Sequence, residues 1–391
     1  MSITRLTLGY VPLTDAAPLI IAHEMGFAGE EGLTLELRRL AAWSQARDLL
    51  GAGLIDAAQM LVPMPVAQSI GLGPDVPAFD LVMFLSQGGQ AIVVNNHLAA
   101  RMTDAGFRFD FSDAALAGQA LFAASGGRLR IGVPFPFSTQ VELIWLLLGA
   151  SGFAVDGVQI VTVPPPRMAD AMARSEVDAF CVGEPWASFA IERGLGAMLL
   201  PGIAIWASPP EKGLVMCRAF AEGRPEETGA LMRVVWRACQ WLDQPDNRGV
   251  AAEIISSERY LNLPPELAER GLTGRIFVNP QGRYRHCPGF ISFGDGAANF
   301  PWKSLAAFFA SRIAARNGRD PAEAARTAMA CFRTDLYRRH LRPAGAPLPG
   351  ASAKVEGTIT RPRMVAAEQG QMILRPDAFF DGSVFDPPFP E

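Results

Sequence analysis

The sequence predicts a two-lobed α/β fold, and three observations support this prediction. A chain of 391 residues with 49% hydrophobic content is too long for one ordinary core and can form two. Short segments with the period of a strand alternate with helical segments from the first residues onward. The pattern that runs from Asp48 to Pro63 returns between Asp170 and Pro185. Two similar lobes that face each other would form a cleft.

The first elements follow one another in the order β-α-β-α-β. Residues 6–11 alternate polar and apolar side chains, which is typical of a half-buried strand. The apolar segment 16–25 predicts a helix that ends at Gly26. The other predicted elements of this unit are a strand over 33–37, a loop with Trp43, a helix over 45–51 and a short strand over 56–59. This order predicts a mostly parallel sheet with helices on both faces.

The internal repeat aligns Asp56 with Asp178, and an alanine follows each aspartate. Pro63 and Pro185 come at the same distance after these aspartates. In each copy a helix ends, a strand begins at the Asp-Ala pair, and a proline-containing loop leaves the carboxyl end of that strand. Coincidence in an alanine-rich chain is the alternative, but the order of the elements agrees as well as the letters. Open α/β sheets bind ligands at this end of their strands, so both loops are predicted to face a ligand.

The predicted lobe boundaries assign residues 1–96 and 213–391 to lobe 1 and residues 97–212 to lobe 2. The first crossing is placed where a strand run ends before a stretch rich in glycine and phenylalanine. The further predicted elements are a helix over 141–149, a strand over 158–163 and helices over 227–241 and 321–337. The tail after Leu341 is rich in proline and glycine but carries aromatic residues, so we expect it to dock on the body.

Composition and charge argue against several classes of protein. The 35 basic and 39 acidic residues are mixed without a long basic block, so direct nucleic-acid binding is not expected. No apolar run reaches the roughly 18 residues of a membrane span, so no membrane insertion is expected. The strand pattern at the first residues leaves no room for a signal peptide, which predicts a cytoplasmic location. The five cysteines lack metal-ligand spacing, which predicts reduced thiols in a reducing compartment.

Catalysis is not expected of this chain. None of its four histidines forms a metal-spaced pair or stands beside a nucleophile signature: His23, His97, His286 and His340. No phosphate-binding loop or glycine-rich dinucleotide motif follows a predicted strand. The sequence therefore predicts a protein that binds its ligand with no cofactor, no metal and no reaction.

Five segments carry a resemblance to a known family: GYVPLTDAAPLIIAHEMG at 9–26, AWSQARD at 42–48, PMP at 63–65, VDAFCVGEPW at 177–186 and FDGSVFD at 380–386. With these segments the sequence resembles, over nearly its whole length, the nitrate- and bicarbonate-binding solute-binding proteins of ABC importers. The resemblance implies a periplasmic-binding-protein-like fold of type II with a ligand cleft between the lobes. Since no signal peptide is expected, the chain looks most like the cytoplasmic branch, a nitrate and nitrite sensor that controls an RNA-binding, response-regulator-like antiterminator.

The resemblance implies three ligand contacts. Trp43 matches a family tryptophan that lies against the anion, where an indole offers one N–H donor and a flat apolar face. Gln87 matches a family glutamine whose amide donates to a ligand oxygen. Lys212 resembles a lysine of the nitrate-binding members, at a position where bicarbonate-binding members carry an acidic residue, and a cation suits a permanent anion. The alternatives are a tryptophan on the core, a surface glutamine and a surface pair of Lys212 with Glu211.

Three more residues are assigned to the ligand loops. Gly183 and Pro185 lie in the loop of the second repeat, where a glycine lets backbone N–H groups approach a ligand, although an ordinary turn would look the same. Ser138 opens a predicted helix, so we expect it first as an N-cap, with neighbouring N–H groups that could also face an anion.

These assignments predict a hinge protein that binds nitrate or nitrite and regulates nitrate-assimilation genes through the antiterminator. Ligand binding would stabilise the closed lobes and thereby change the exposure of a partner surface. A substrate-binding component of a nitrate ABC importer is one alternative, and a binding protein for another small anion or a heterocycle is another. A candidate partner surface, which could equally be a solvated helix end, is formed by Arg333, Arg338, Arg339 and Arg342.

Overall fold

The computed structural model describes residues 3–388, in which two β-sheets form the centres of two α/β lobes. Within this part of the chain no helix is long and apolar enough to cross a membrane. The strands are, in chain order, β1 (Thr4–Tyr10), β2 (Leu33–Arg39), β3 (Ala57–Leu61), β4 (Phe79–Gly88), β5 (Gln90–Asn95), β6 (Leu129–Val133), β7 (Val158–Thr162), β8 (Ala179–Gly183), β9 (Gly196–Pro201), β10 (Pro210–Cys217), β11 (Arg275–Phe277), β12 (Tyr284–His286), β13 (Ile291–Ser292), β14 (Arg363–Ala366) and β15 (Gln371–Leu374).

Helices connect most of the strands in both lobes, and several more helices follow β10. They are α1 (Ala17–Glu24), α2 (Phe27–Glu30), α3 (Trp43–Gly51), α4 (Pro63–Ser69), α5 (Asn96–Asp104), α6 (Ala114–Ser125), α7 (Thr139–Gly149), α8 (Met168–Ala173), α9 (Trp186–Glu192), α10 (Arg218–Gly223), α11 (Pro225–Asp243), α12 (Arg248–Ser256), α13 (Pro265–Thr273), α14 (Lys303–Arg316), α15 (Pro321–Ala328) and α16 (Thr334–Leu341).

Each lobe is built on a mixed sheet. Lobe 1 has the strand order β13-β4-β10-β3-β1-β2, with β1 parallel to β2 and β3 but β10 antiparallel to β3 and β4. Lobe 2 has the order β7-β6-β8-β5-β9, with β6 parallel to β7 and β8 but β5 antiparallel to β8 and β9. The two-lobed α/β prediction is confirmed. The prediction of a mostly parallel sheet is wrong, because β10 in lobe 1 and β5 in lobe 2 run antiparallel to both of their neighbours.

The predicted repeat has the same structural role in both lobes. The N–H of Asp56 donates to the carbonyl of Thr7 at 2.8 Å, and its carboxylate accepts from the N–H of Thr7 at 2.7 Å. Asp178 makes the same two bonds with Arg130, at 2.8 and 3.0 Å. Each aspartate therefore attaches the start of its strand to the neighbouring parallel strand, which explains why the same residue type stands at both positions.

The crossings between the lobes differ from the predicted boundaries at 96/97 and 212/213. The chain leaves lobe 1 at Gly88 and Gly89, so that β5 already belongs to the sheet of lobe 2. It returns between Pro201 and Pro210, and the whole of β10 belongs to the sheet of lobe 1. The two glycines have φ values of 72° and 85°, which side chains rarely adopt, and they let the chain turn from one sheet into the other.

The single helix predicted over 321–337 is two helices, α15 and α16. A 3₁₀ turn over Met329–Cys331 separates them, and Phe332 is extended. Phe332 forms a parallel bridge with Leu81 of β4, and the N–H of Arg333 donates to the carbonyl of Leu81 at 3.0 Å. This long-range pairing ends α15, and the local helical pattern of the sequence cannot reveal it.

The C-terminal tail docks on the body, as predicted. The ring of Phe379 lies 4.9 Å from that of Trp206 and 5.3 Å from that of Phe308, measured between centroids. The N–H of Ala207 donates to the carbonyl of Ala378 at 3.0 Å. The tail is therefore attached to the return crossing between the lobes. The last residues of the predicted aromatic tail, 389–391, lie outside the described residues.

Candidate ligand site between the lobes

A buried ionic cluster lies beside the carboxyl end of β1. Lys212 on β10 is 0% exposed, and Asp15 and Glu211 are 1% and 0% exposed. The ammonium of Lys212 donates to Asp15 Oδ2 at 2.8 Å and also to Glu211 Oε1. Lysine is almost never buried completely unless it is paired in this way. The alternative of an exposed surface pair between Lys212 and Glu211 is therefore wrong.

Two adjacent residues reach this cluster because β10 is irregular where it passes the cleft. A regular strand would direct Glu211 and Lys212 to opposite faces of the sheet. The register between β10 and β4 shifts between Pro210 and Lys212 and again between Lys212 and Gly213. A β-bulge of this kind redirects a side chain, and bulges are frequent beside functional sites. The irregularity thus places two carboxyl groups and one ammonium at one point.

Glutamines from both lobes support the cluster. Gln59 on β3 donates to Asp15 Oδ1 at 2.5 Å and accepts from the N–H of Val11 at 3.0 Å. Gln140 in the first turn of α7 donates to Glu211 Oε1 at 2.5 Å. Because Gln140 belongs to lobe 2 and Glu211 to lobe 1, this hydrogen bond crosses the cleft.

Burial controls the protonation of the site. It raises the pKa of Asp15 and that of Glu211, although Lys212 acts in the opposite direction on both. Burial also disfavours the charged form of Lys212, but the two carboxyl groups together outweigh it and raise the pKa of this lysine. At the lobe boundary, burial raises the pKa of Glu184 to about 7, while hydrogen bonds from Ser188 act against it. The two carboxyl groups therefore stabilise the charged form of Lys212, while burial makes each carboxyl group easier to protonate than in water.

Buried polar atoms without a protein hydrogen-bond partner gather around the cluster. The indole Nε1 of Trp43 has no partner, and its ring centroid lies 5.1 Å from Lys212 Nζ. Neither amide atom of Gln90, the first residue of β5, has a partner, and Gln90 pairs with Gly183 in the sheet of lobe 2. Four of the further unpaired atoms belong to the cluster or to residues next to it: Thr14 Oγ1, Ser86 Oγ, Gln140 Oε1 and Glu211 Oε2. Because buried donors and acceptors are seldom left unpaired, this arrangement fits a small polar ligand.

The lobes are in contact around this site. Trp186 Nε1 of lobe 2 donates to the carbonyl of Pro12 in lobe 1 at 2.8 Å. Thr139 Oγ1 at the start of α7 donates to the carbonyl of Pro210 at 2.6 Å. Together with the bond from Gln140 to Glu211, these contacts hold the lobes in a closed arrangement in which the cluster is sealed from solvent.

Three of the residues assigned from sequence come together here: Trp43, Lys212 and Gly183. Trp43 is the first residue of α3 and not part of a loop as predicted, because α3 begins two residues earlier than the expected helix. Gly183 ends β8, and a Cβ at this position would lie 2.7 Å from Leu13 Cδ2 and 3.4 Å from Asp15 Oδ2. A glycine is therefore needed for lobe 2 to approach lobe 1 this closely. Contact of these residues with a ligand remains a prediction.

Gln87 is not brought to the cluster. Its neighbour Ser86 pairs with Lys212 across the sheet, and successive residues of a strand point to opposite faces, so Gln87 points away. On that side Gln87 lines a cavity of about 40 Å³ together with the tail residues Lys354 and Glu356. The assignment of Gln87 as a ligand contact therefore does not fit the geometry.

Pro185 and Ser138 both stand at the start of a helix. The carbonyl of Pro185 accepts from the N–H of Phe189 at 2.8 Å, inside the first turn of α9. Ser138 Oγ accepts from the N–H of Val141 at 3.3 Å, which confirms the expected N-cap. A role for either residue at the ligand remains a prediction.

Four residues of the cluster were not assigned from sequence: Asp15, Gln90, Gln140 and Glu211. Asp15 follows the carboxyl end of β1, where open sheets bind ligands, so its position alone could have indicated it. Gln90 comes directly after Gly88 and Gly89, and this position at a turn of the chain was the one sequence feature that could have indicated it. Glu211 was considered only as a surface partner of Lys212. Regular alternation along β10 would separate the two side chains, so the sequence pattern could not indicate that both enter the cluster.

Three of the four arginines of the predicted partner surface are held in ion pairs. Arg333 pairs with Asp80, and Arg338 and Arg342 pair with Glu368, so these arginines do not form a free basic surface. All five cysteines are free thiols, and all except Cys217 are buried. Across residues 3–388, no group of three or more His, Cys, Asp or Glu side chains is placed to hold a metal ion.

Two α/β lobes that close on a buried polar cluster define a two-lobed substrate-binding protein. Residues 2–256 match the NMT1-like family. The chain belongs to this family, in the group of ABC substrate-binding proteins that includes the relatives described next.

The relatives are binding proteins. The nitrate/nitrite binding protein NrtA of Nostoc sp. is 32% identical over 311 residues, which are 77% of this chain and 68% of NrtA. The bicarbonate-binding protein CmpA of Synechococcus elongatus is 29% identical over 327 residues, 79% of this chain and 70% of CmpA. The crystal structure of the periplasmic nitrate-binding protein NrtA from Synechocystis superposes with a TM-score of 0.83 at 26% identity and covers 98% of this chain and 96% of that one.

A buried ion pair outside the site also joins the lobes, and we expect its loss to weaken closure. Glu142 of α7 is 1% exposed on its side chain and accepts from Arg312 and Arg316 of α14 at 2.8 and 2.9 Å. A Glu142→Gln variant should weaken ligand affinity roughly tenfold, because the open state gains about 1–2 kcal/mol relative to the closed state. Titration calorimetry measures the affinity, and small-angle scattering measures the opening.

The matched control is Glu176→Gln, since Glu176 pairs with Arg174 on the exposed surface of lobe 2. This variant should leave both affinity and scattering unchanged. Equal affinities for Glu142→Gln and the unmodified chain would show that the pair does not contribute to closure.

Proposed function

We propose that this chain binds nitrate or nitrite between its lobes. One observation carries the proposal: the ammonium of Lys212 and the unpaired indole N–H of Trp43 lie together at a sealed site. Gln90, whose amide is also unpaired, stands opposite Gly183 in the sheet of lobe 2, at the edge of this site. A small planar anion accepts in-plane hydrogen bonds and presents a flat face to an indole. The names of NrtA from Nostoc sp. and from Synechocystis support this ligand.

Each lobe has its own part in the proposed complex. Lobe 1 supplies the positive charge of Lys212 and the indole of Trp43. Lobe 2 supplies the Gln90 amide, and Gly183 lets lobe 2 approach Leu13 and Asp15 of lobe 1 closely. Because the contacts come from both lobes, the anion stabilises the closed state relative to the open one. Ser138 and Pro185 contribute by starting the helices whose first turns face the cleft.

Two glutamines of the crossing give a sharp test of this geometry. Titration calorimetry with nitrate, nitrite and bicarbonate is carried out on the unmodified chain, on Gln90→Ala and on Gln87→Ala. We expect nitrate or nitrite to bind the unmodified chain. Gln90→Ala should bind the same anion about tenfold more weakly, because it loses one or two hydrogen bonds to the anion. Gln87→Ala is the matched control and should keep its affinity, because Gln87 lies on the tail side of β4.

Two outcomes would reject the proposal. Absence of nitrate and nitrite binding by the unmodified chain would reject the ligand. Loss of binding in Gln87→Ala together with full binding in Gln90→Ala would reject the placement of the anion beside Lys212.

Two roles are open to a protein that closes on nitrate. Delivery to an ABC importer is supported by the similarity to the nitrate import ATP-binding protein NrtC of Synechocystis sp., which is 28% identical over 314 residues, 79% of this chain and 46% of NrtC. Control of an RNA-binding antiterminator and of nitrate-assimilation genes, expected from the sequence, is the other role. Both roles require that a partner distinguishes the closed lobes from the open lobes.

Partner binding separates the two roles. The sensor role predicts that the purified antiterminator binds the ligand-free chain and is released when nitrate is added. The importer role predicts no binding to the antiterminator and nitrate-stimulated ATP hydrolysis by the reconstituted transporter. Antiterminator binding that is equal with and without nitrate would remove the sensor role.

A further inference from the structure

The ionic cluster holds two carboxyl groups but only one ammonium before any anion binds. Asp15 and Glu211 are both hydrogen-bonded to Lys212, and all three side chains are sealed from solvent. Within residues 3–388, Lys212 is the one cation bonded to either carboxyl group. If both carboxyl groups were ionised, a bound anion would leave two uncompensated negative charges in a site of low dielectric. Such an arrangement is strongly unfavourable.

The two carboxyl groups are not equivalent. Both oxygens of Asp15 accept hydrogen bonds, Oδ1 from Gln59 at 2.5 Å and Oδ2 from Lys212 at 2.8 Å. Glu211 accepts only at Oε1, from Lys212 and Gln140, and its Oε2 is buried without a partner. An ionised oxygen needs a donor, whereas a protonated oxygen can itself donate. Glu211 Oε2 is therefore the position in the cluster where a proton fits.

We propose that each nitrate or nitrite that enters the cleft is accompanied by one proton, which Glu211 takes up from the solvent and directs from Oε2 to a ligand oxygen. The inference rests on the proposed function and adds a residue and a proton to it. Binding then places one anion, one ammonium, one carboxylate and one neutral carboxylic acid in the site. Its net charge is the same as in the free cluster with both carboxyl groups ionised.

The groups that face Glu211 agree with this assignment. They are Lys212 on the same strand, Asp15 after β1, Gln140 on α7 and the thiol of Cys181 on β8. Burial raises the pKa of Glu211 and Asp15 raises it further, while Lys212 and Gln140 oppose them. Opening of the lobes removes Gln140 and admits water, which weakens the burial contribution. Closure on the anion therefore favours the protonated acid.

Calorimetry counts the proton directly. Nitrate is titrated into the full chain at about pH 8 in phosphate and in Tris, two buffers with different ionisation enthalpies, and the difference in heat gives the number of protons bound per nitrate. We expect about one proton and an affinity that falls roughly tenfold per pH unit above the pKa of Glu211 in the open protein. Glu211→Gln should bind nitrate with no proton uptake and with little dependence on pH.

Glu356→Gln is the matched control. Glu356 is a buried carboxyl of the tail that accepts from Lys354 of the tail and from Ser304 of α14, away from the cleft. This variant should therefore keep the proton uptake of the unmodified chain. Asp15→Asn tests the choice of carboxyl group. Proton uptake that is lost in Asp15→Asn but kept in Glu211→Gln would overturn the assignment to Glu211.

The possible results distinguish this inference from the proposed function. Nitrate binding by the unmodified chain without proton uptake between about pH 6 and pH 9 would overturn the inference and leave the proposed function standing. Absence of nitrate binding would overturn the proposed function. The proton count on the unmodified chain decides the inference even if Glu211→Gln does not fold, which thermal unfolding reports.

Discussion

Lys212→Met should strongly weaken nitrate binding and destabilise the fold by about 3–5 kcal/mol, because it leaves two buried carboxyl groups without their positive partner. Methionine keeps the length of the side chain, so the loss is one of charge and hydrogen bonds. The affinity for nitrate should fall by about a hundredfold or more. Urea unfolding measures the stability, and calorimetry measures the affinity.

The destabilisation should depend on pH with a definite sign. Without Lys212, burial holds the folded-state pKa of Asp15 and of Glu211 above the unfolded values. The folded protein then keeps protons that the unfolded chain releases as pH rises through the unfolded values. The deficit of Lys212→Met relative to the unmodified chain is therefore expected to be larger at about pH 8 than at about pH 5. An equal deficit at both pH values would mean that the carboxyl groups are ionised in the folded variant.

Lys354→Met is the matched control for this variant. Lys354 is paired with Glu356 and Asp377 and lies 5.6 Å from the ring of Trp302, so its surroundings resemble those of Lys212. Lys354 belongs to the tail and does not lie in the cleft, so this variant should lose stability but keep its affinity for nitrate. Loss of affinity in both variants would show that a general loss of stability, and not the charge in the cleft, explains the result.

Trp206→Ala should also cost about 3–5 kcal/mol and should release the tail from the return crossing. Trp206 is fully buried, and its ring lies 5.1 Å from Phe308 and 4.9 Å from Phe379. Removal of the indole leaves a large cavity at the point where the crossing and the tail meet. Urea unfolding measures the loss of stability.

Hydrogen exchange at the neighbouring amides measures release of the tail. The N–H of Ala207 donates to Ala378, and the N–H of Phe380 donates to Ile205, so both amides should exchange faster in Trp206→Ala. Trp236→Ala is the comparison, because Trp236 is partly exposed on α11 and should cost less. Unchanged exchange at Ala207 and Phe380 would show that backbone pairing alone holds the tail.

Much of the fold could be predicted because it depends on local patterns. Alternating side chains predicted the first strand of lobe 1, and the Asp-Ala repeat predicted β3 and β8 together with their position at the cleft. The repeat was informative because Asp56 and Asp178 make the same backbone hydrogen bonds in the two lobes. Trp43, Lys212 and Gly183 were assigned through the family resemblance, and the fold brings them together.

The errors arose where a distant part of the chain decides the local conformation. Phe332 pairs with Leu81 and interrupts a helical pattern that is continuous in the sequence. Gln87 and Gln90 have the same side chain, but the crossing at Gly88 and Gly89 sends Gln90 to the cleft and leaves Gln87 under the tail.

The sequence by itself determined the two α/β lobes, the repeat that joins each strand start to its neighbour, and the presence of a lysine near the cleft. The tertiary structure alone decided what surrounds that lysine. A shift of register in β10 turns Glu211 toward Lys212, and closure of lobe 2 adds Gln90 and Gln140 from distant parts of the chain. The physical reason is that secondary structure follows from the local periodicity of polar and apolar side chains. The charge and hydrogen bonding of a buried site depend instead on which side chains long-range packing brings together.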